Sequence, residues 1–577
     1  MHPALTLDNL KRLPPTLRSA ANAAISPNRS VADLRRVQRH LATATESQFI
    51  WTLPVFYINL DPAAIPSLDE FDTKAPSSDA VSAIGRAFCS LEELSVMRFP
   101  ESAGVYIWPR FWPWAQFIHL YRDYLPGIPP QREDDFCRAL LSFTVTLTHH
   151  RDTHARIVST PWFWYLLGRT WSHLPAIKDP SKQDLAVNDI AFFLIEEGIT
   201  KPPNMDEFLS GVGGTLADVA RLVISFTDCI LPKGDAALDD RHIHFLAFIL
   251  IFVCFVDPAL AAGAQPMADL GQFGKALLER NFIGVLIKAI CSLSKSVIRD
   301  ALHPAQKAVE LLATVLQTRD GYSQILAAID EGLLRALILA AQSDFADDLD
   351  HEYFVRLLRR FLFHHRYLSA LGRALEGIIN LLNTAAFRQC KTYKLWNQFF
   401  SVARERLEVL TAVDSSKCVR NVACDNLQCC EIGVKTEFRR CSDCQSMYYC
   451  SKTCQIMNWR HGGHRETCNS YGKLLLSAKN SFGSTARQRS FPACPSTSRL
   501  SLGAAQVTVF DYTQGEVWIS VEPRTVLDTV EGFSGVEWTN IVSREAASNG
   551  TMEIHVVVIS GLKGCMTGTA LGQPRTC

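Results

Sequence analysis

The chain has 577 residues, 47% of them hydrophobic and 20% charged, with equal numbers of acidic and basic side chains. That composition describes a globular chain of several domains. Zero net charge excludes a general electrostatic draw to nucleic acid or anionic lipid.

The N-terminus, Met-His-Pro-Ala-Leu-Thr-Leu-Asp, lacks the apolar core of a secretory signal. Arg18, Arg29, Arg35 and Arg36 hint at a transit peptide, and Asp8 and Asp33 argue against one. From here to residue 415 the sequence reads as one helical domain. Apolar residues recur every three or four positions in Leu216–Leu231, Phe273–Leu293, Ala305–Leu316, Ile325–Ala341 and Tyr353–Leu382. The aromatic run from Tyr106 to Trp114 could form a groove for prolines or bases, but packing around a proline-broken helix start is the favoured reading. His149-His150 and His364-His365 lack partners at ligand spacing and read as exposed or capping residues.

Gly211-Val-Gly213-Gly214 is a glycine-rich loop leading into a helix, with Leu216 where a dinucleotide fingerprint wants its third glycine. Phe245–Val256 is unbroken apolar sequence, too short for the ~20 residues of a membrane span. A buried helix stopped by Asp257-Pro258 is expected, with no membrane partner. The segments around Asn281, Gly332 and Gly377 look alike: a helix, a residue able to take positive φ, then a second apolar helix. Their offsets of 51 and 45 residues lie near the ~40–47 of armadillo and HEAT units. The expected fold is therefore mainly α, an armadillo- or HEAT-like helical array.

Nine of the 18 cysteines then fall between residues 418 and 468. The run is Cys424-x4-Cys429-Cys430, Cys441-x2-Cys444, Cys450-x3-Cys454 and His464-x3-Cys468. Zinc takes four soft or borderline ligands in a tetrahedron, and three short cysteine pairs plus a His-Cys pair supply two closed sites. A closed site has no open position for substrate, so structural metal is expected, two zinc ions per chain. A disulfide framework is disfavoured, because the other cysteines are widely spaced and no secretory signal is seen. Either Cys429 or Cys430 can complete the first pair, and His461 competes with His464.

The run of C-x2-C, aromatic-Cys-Ser, Cys-Gln, Trp and His-x3-Cys resembles the MYND-type zinc finger, although the first pair departs from that family's x2 spacing. The resemblance implies interleaved sites: Cys424, Cys429, Cys450 and Cys454 around one zinc, and Cys441, Cys444, His464 and Cys468 around the other. Cys429 is preferred to Cys430, and only His464 keeps the family's x3 spacing to Cys468. The resemblance also implies a protein-interaction module that binds proline-containing peptides, with Tyr449, Gln455 and Trp459 as candidate groove residues. Packing inside a domain with little core is their rival role. The whole chain resembles uncharacterised fungal proteins of similar layout.

A finger spans residues 420–470, a Ser-, Arg- and Pro-rich linker 471–500, and a small β-containing tail 501–577. Strands are expected at 506–512, 516–521 and 551–559. No enzyme is expected. Some MYND proteins are SET-type lysine methyltransferases, but these need an Asn-His pair that the chain lacks. It also lacks GxxxxGK[ST], HExxH and GxSxG. Direct nucleic-acid binding is disfavoured as well. Residues 418–468 carry seven Lys or Arg and five Asp or Glu, so two zinc ions and seven thiolates leave a net charge of about −1, poor for phosphate. The alternatives kept are a SET-type protein lysine methyltransferase and a transcription-associated regulator contacting nucleic acid indirectly. Reduced thiols place the favoured scaffold in the cytoplasm or nucleus.

Overall fold

Helix ends follow from local chemistry all along the chain. Ser30 and Asp33 form a reciprocal capping box at the start of helix Val31–Leu41. Thr215 caps helix Leu216–Ile230, Asp239 caps Asp240–Val256 and Asp350 caps His351–Arg359, each accepting a backbone N–H of the first turn. The structure is a computed structural model. It describes residues 1–67, 77–95, 97, 99–100, 102–121, 125, 133–148, 151–196, 202–232, 236–261, 270–318, 321–344, 346, 349–362, 364–415, 421–426, 428–429, 431–470, 472–473, 508–511, 553–558 and 566–570.

The described residues are mainly α-helical. By compactness the chain divides into two units, the first made of Met1–Lys233, Leu238–Ala262 and Leu270–Phe282, the second mainly of Ile283–Cys577. This division falls inside the region expected as one helical domain.

In the first unit, helix Gly104–Tyr121 carries the aromatic run and contains Pro109 and Pro113. Trp108, Phe111, Trp112 and Trp114 are buried, and Trp108 stacks on Trp112 at 4.8 Å. Each indole N–H has an acceptor: Thr160 Oγ1 for Trp108, the Pro161 carbonyl for Trp112 and the Asp61 carbonyl for Trp114. The run is packing, as favoured. Helices Phe163–His173 and Pro202–Val212 cross closely. Gly168 and Gly211 permit this approach. A Cβ on Gly168 would lie 2.5 Å from the Phe208 carbonyl oxygen, and one on Gly211 would overlap the Tyr165 carbonyl oxygen.

The glycine-rich loop is thus a helix corner. Gly213 and Gly214 take positive φ, and their N–H groups close back on the Leu209 carbonyl before Thr215 starts the next helix. The apolar run lies in helix Asp240–Val256, where Phe245, Leu246, Phe248, Ile249 and Val253 are buried. Among the described residues no single helix is long and apolar enough to cross a membrane.

In the second unit, helices Leu302–Leu316, Gly321–Asp330, Leu333–Ala341, His365–Leu382 and Tyr393–Ser415 pack in succession, with His351–Arg359 against Tyr393–Ser415. This is a helical array, as expected. Asn281 and Gly332 take left-handed φ of 60° and 99° at the expected turns. The third expected turn does not form: Gly377 lies inside His365–Leu382, exposed, with nothing within 4 Å of a Cβ. The apolar helix runs through it because one glycine costs only ~1 kcal/mol against alanine. His364 stands at the N-cap of that helix, and the pair at 149–150 lies outside the described residues.

The tail forms a three-stranded sheet, its strands being Thr508–Asp511, Glu553–Val558 and Met566–Ala570. The first pairs parallel to the second, Thr508 opposite His555, and the second pairs antiparallel to the third, Glu553 opposite Ala570. Two of these fall within expected strands. The third was not foreseen, and the strand expected at 516–521 lies outside the described residues, as does nearly all of the 471–500 linker.

Candidate metal centre

Residues 421–470 build two hairpins and two helical segments around eight metal-ligating side chains. Strands β1 (Asn421–Ala423) and β2 (Ile432–Val434) pair antiparallel, Ala423 opposite Ile432. Cys424 follows β1 directly, its N–H bonded to the Glu431 carbonyl, and Cys429 closes a turn onto the Asn426 carbonyl. Strands β3 (Arg439–Arg440) and β4 (Tyr448–Tyr449) form the second hairpin. Its turn holds Cys441 and Cys444, and Gln445 takes a left-handed φ of 53° there. That conformation aims the Ser446 N–H at Cys444 Sγ, 3.5 Å away.

Cys450 follows β4. Ser451 then caps helix Lys452–His461 through the N–H of Cys454, fixing where that thiol points. A turn through Gly463, φ 79°, leads into helical residues 464–470. His464 and Cys468, four apart, share one face of this segment.

Two groups of four result. In the first, the ligand atoms of Cys424, Cys429, Cys450 and Cys454 lie within 4.8 Å of one another, and so do those of Cys441, Cys444, His464 and Cys468 in the second. Cys429 and Cys450 sulfurs are 3.7 Å apart, Cys450 and Cys454 3.6 Å, and Cys441 and Cys468 3.9 Å. His464 Nε2 is 3.3 Å from Cys441 Sγ and 3.6 Å from Cys444 Sγ. A zinc tetrahedron with arms of about 2.3 Å has sulfur–sulfur edges of about 3.8 Å. A disulfide would need sulfurs about 2.05 Å apart. The edges therefore fit two zinc sites. His464 is chosen over His461, which is exposed, and Cys429 joins the first group; Cys430 lies outside the described residues.

The electrostatics suit a cation. Burial, which disfavours the charged thiolate, pushes the Cys424 and Cys468 thiols up to about 12, and the neighbouring cysteines add to the shift. The Ser451 hydroxyl holds Cys454 down to about 7. Burial also lowers His464, keeping its imidazole neutral as a metal ligand must be. A divalent ion would supply the charge that lets the thiols ionise. The finger's core is otherwise Tyr449 ringed by Cys424, Cys441, Cys444 and Cys468, with Phe438 and Met447 against it.

One ligand-supporting residue was missed in the sequence. Asn458, buried on helix Lys452–His461, donates through Nδ2 to the Asp425 carbonyl and to Tyr449 Oη, both at 3.0 Å. Asp425 in turn bonds both ways with Tyr448, its N–H to the Tyr448 carbonyl at 2.8 Å and its Oδ2 from the Tyr448 N–H at 2.6 Å. Asn458 thus ties the helix to both hairpins. An asparagine in a short polar helix gives no periodic signal that would mark it.

The three candidate groove residues separate. Tyr449 is fully buried and its hydroxyl is engaged by Asn458, so its assignment to a groove is corrected: it is the finger's central core residue. Trp459 is 37% exposed, its ring meeting His464 edge-on at 5.6 Å. Gln455 is half-buried one turn earlier on the same helix.

Residues 424–468 match the family model of the MYND finger. No curated protein and no solved structure matches the chain.

Proposed function

We propose that this chain is a zinc-dependent protein-interaction scaffold whose MYND finger binds proline-containing peptides of partner proteins, and that it carries out no chemistry itself. Two zinc ions hold the finger rigid through closed sites, with no position left for a substrate. The observation that supports peptide binding is the exposed apolar face of helix Lys452–His461. Ile456, Met457 and Trp459 are 40%, 37% and 37% exposed there, although the finger buries few large apolar side chains. Gln455 and Trp459 lie four apart and frame one side of this face. An extended peptide would pair with an edge of a two-stranded sheet and set its prolines against Trp459. The helical array offers a second surface for partners, in the cytoplasm or nucleus.

Titration of a labelled proline-containing peptide against the full chain tests this reading. Trp459→Ala should weaken binding by ~2 kcal/mol or more, as expected of an aromatic anchor, with both zinc ions retained. Unchanged affinity with intact zinc would remove Trp459 from the groove. Loss of zinc would make it a structural residue.

A further inference from the structure

Four described residues other than glycine have positive φ: Ser102, Asn281, Gln445 and Trp162. The first three are small or polar side chains of the kind that tolerate this region. Trp162 is not. It holds φ 71°, ψ 0° as the N-cap of helix Phe163–His173, a conformation that a bulky residue adopts only under constraint. Core packing does not account for it, because 42% of its surface is exposed.

The constraint is visible. The Trp162 N–H donates to Glu207 Oε2 at 3.0 Å, from helix Pro202–Val212. The preceding carbonyl, that of Pro161, accepts from Trp112 Nε1 at 3.1 Å and from Gln116 Nε2 at 3.4 Å. The indole is therefore presented outward from a pinned loop. Its ring meets Tyr165 at 5.2 Å, tilted by 53°, and Tyr165 meets His119 at 6.0 Å. Leu120, 51% exposed, follows Gln116 by one turn on the neighbouring helix. The half-buried Glu207 carboxylate has the Trp162 N–H on one oxygen, and among the described residues no lysine or arginine pairs with it. Asp206, exposed, adds a second negative charge beside it.

We propose that Trp162, Tyr165 and Glu207 form a docking site for an arginine side chain of a partner protein. The guanidinium stacks on the open indole face and donates to the unused Glu207 oxygen. Charge complementarity and shape both favour arginine. Its flat cation suits an aromatic face and a carboxylate together, whereas lysine offers a compact, strongly hydrated charge. This site lies in the first unit and is independent of the finger and its peptide.

Nuclear magnetic resonance of the indole N–H groups in the full chain tests the proposal, with N-acetylarginine amide as probe. There are 11 tryptophans, and the Trp162 signal is the one lost in Trp162→Phe. It should shift saturably in the millimolar range, and Glu207→Gln should weaken the effect by about fivefold or more. That variant keeps an oxygen to accept the Trp162 N–H, so the loop is preserved while the charge is removed. No shift up to about 50 mM would overturn the site, since binding that weak is below any useful contribution to docking. An equal shift in Glu207→Gln, or with N-acetylglutamine amide, would overturn it too.

Discussion

Asn458 and Tyr449 are joined by a 3.0 Å hydrogen bond, side-chain amide to phenol oxygen, at the point where the finger's helix meets its second hairpin. Both are buried, and neither ligates metal. The same amide group also reaches the Asp425 carbonyl. One side chain thus fixes the hairpin that carries Cys424 relative to the helix that carries Cys454.

Asn458→Ala should therefore destabilise the zinc-loaded finger by about 1–3 kcal/mol, the cost of leaving buried acceptors without a donor. Tyr449→Phe should cost less, because Asn458 keeps Asp425. The rate of zinc release to a chromophoric chelator ranks the two, and equal rates in wild type and Asn458→Ala would refute the tie.

Metal analysis of purified chain should return two zinc ions. Cys441→Ser should lose more than one of them, since hairpin β3–β4 presents Cys441 and Cys444 to one site and Cys450 to the other. Retention of one tight zinc would mean that the sites fold separately. Chelation should raise hydrogen exchange across 421–470 and leave the helices of 302–415 protected, because structural zinc contributes roughly 10–16 kcal/mol to such small modules.

Glycine substitutions should separate two roles. Gly211→Ala, at the helix crossing, should destabilise the first unit by about 1–3 kcal/mol through overpacking. Gly377→Ala, on an open helix face, should stabilise the second by ~0.5–1 kcal/mol. Thermal unfolding of both variants checks the pair, and a neutral Gly211→Ala would show that the helices can part at little cost.

Acid should weaken the second unit. His351 is 2% exposed, both its ring nitrogens lack hydrogen-bond partners among the described residues, and burial pushes it down to about 4 from 6.5. Below pH 6.5 the unfolded chain takes a proton that the folded chain refuses until about pH 4. Its stabilising contribution is complete above pH 6.5 and is lost as pH falls through that window, at about 1.4 kcal/mol per pH unit. Urea denaturation at pH 7 and pH 5 measures the slope, and His351→Gln should reduce it without abolishing it, because burial lowers His364 in the same direction.

The metal centre was the most legible part of the sequence because ligand chemistry dictates residue type as well as spacing. Cysteines at x2, x3 and x4 intervals have few other uses where the described cysteines form no disulfide. The aromatic run was legible for a similar reason: prolines mark where such residues pack. Tyr449 was not. A tyrosine beside a ligand cysteine has the same pattern whether its ring faces a peptide or fills the core, and only the position of Asn458 decides. Gly332 and Gly377 are equally alike in sequence, yet only the first breaks its helix, because helix continuation depends on what the next turn packs against. The division at Ile283 was illegible since helical periodicity is the same on both sides. In the tail, apolar alternation marked two strands, but their parallel pairing depends on distant chain geometry.

The order in which the ligands occur along the chain has a consequence for how such a finger can change. Cys441 and Cys444 stand between the first site's Cys429 and Cys450, and Cys450 and Cys454 stand between the second site's Cys444 and His464. Neither tetrahedron can be excised with all its own ligands and none of the other's. Duplication or recombination can therefore move this module only whole.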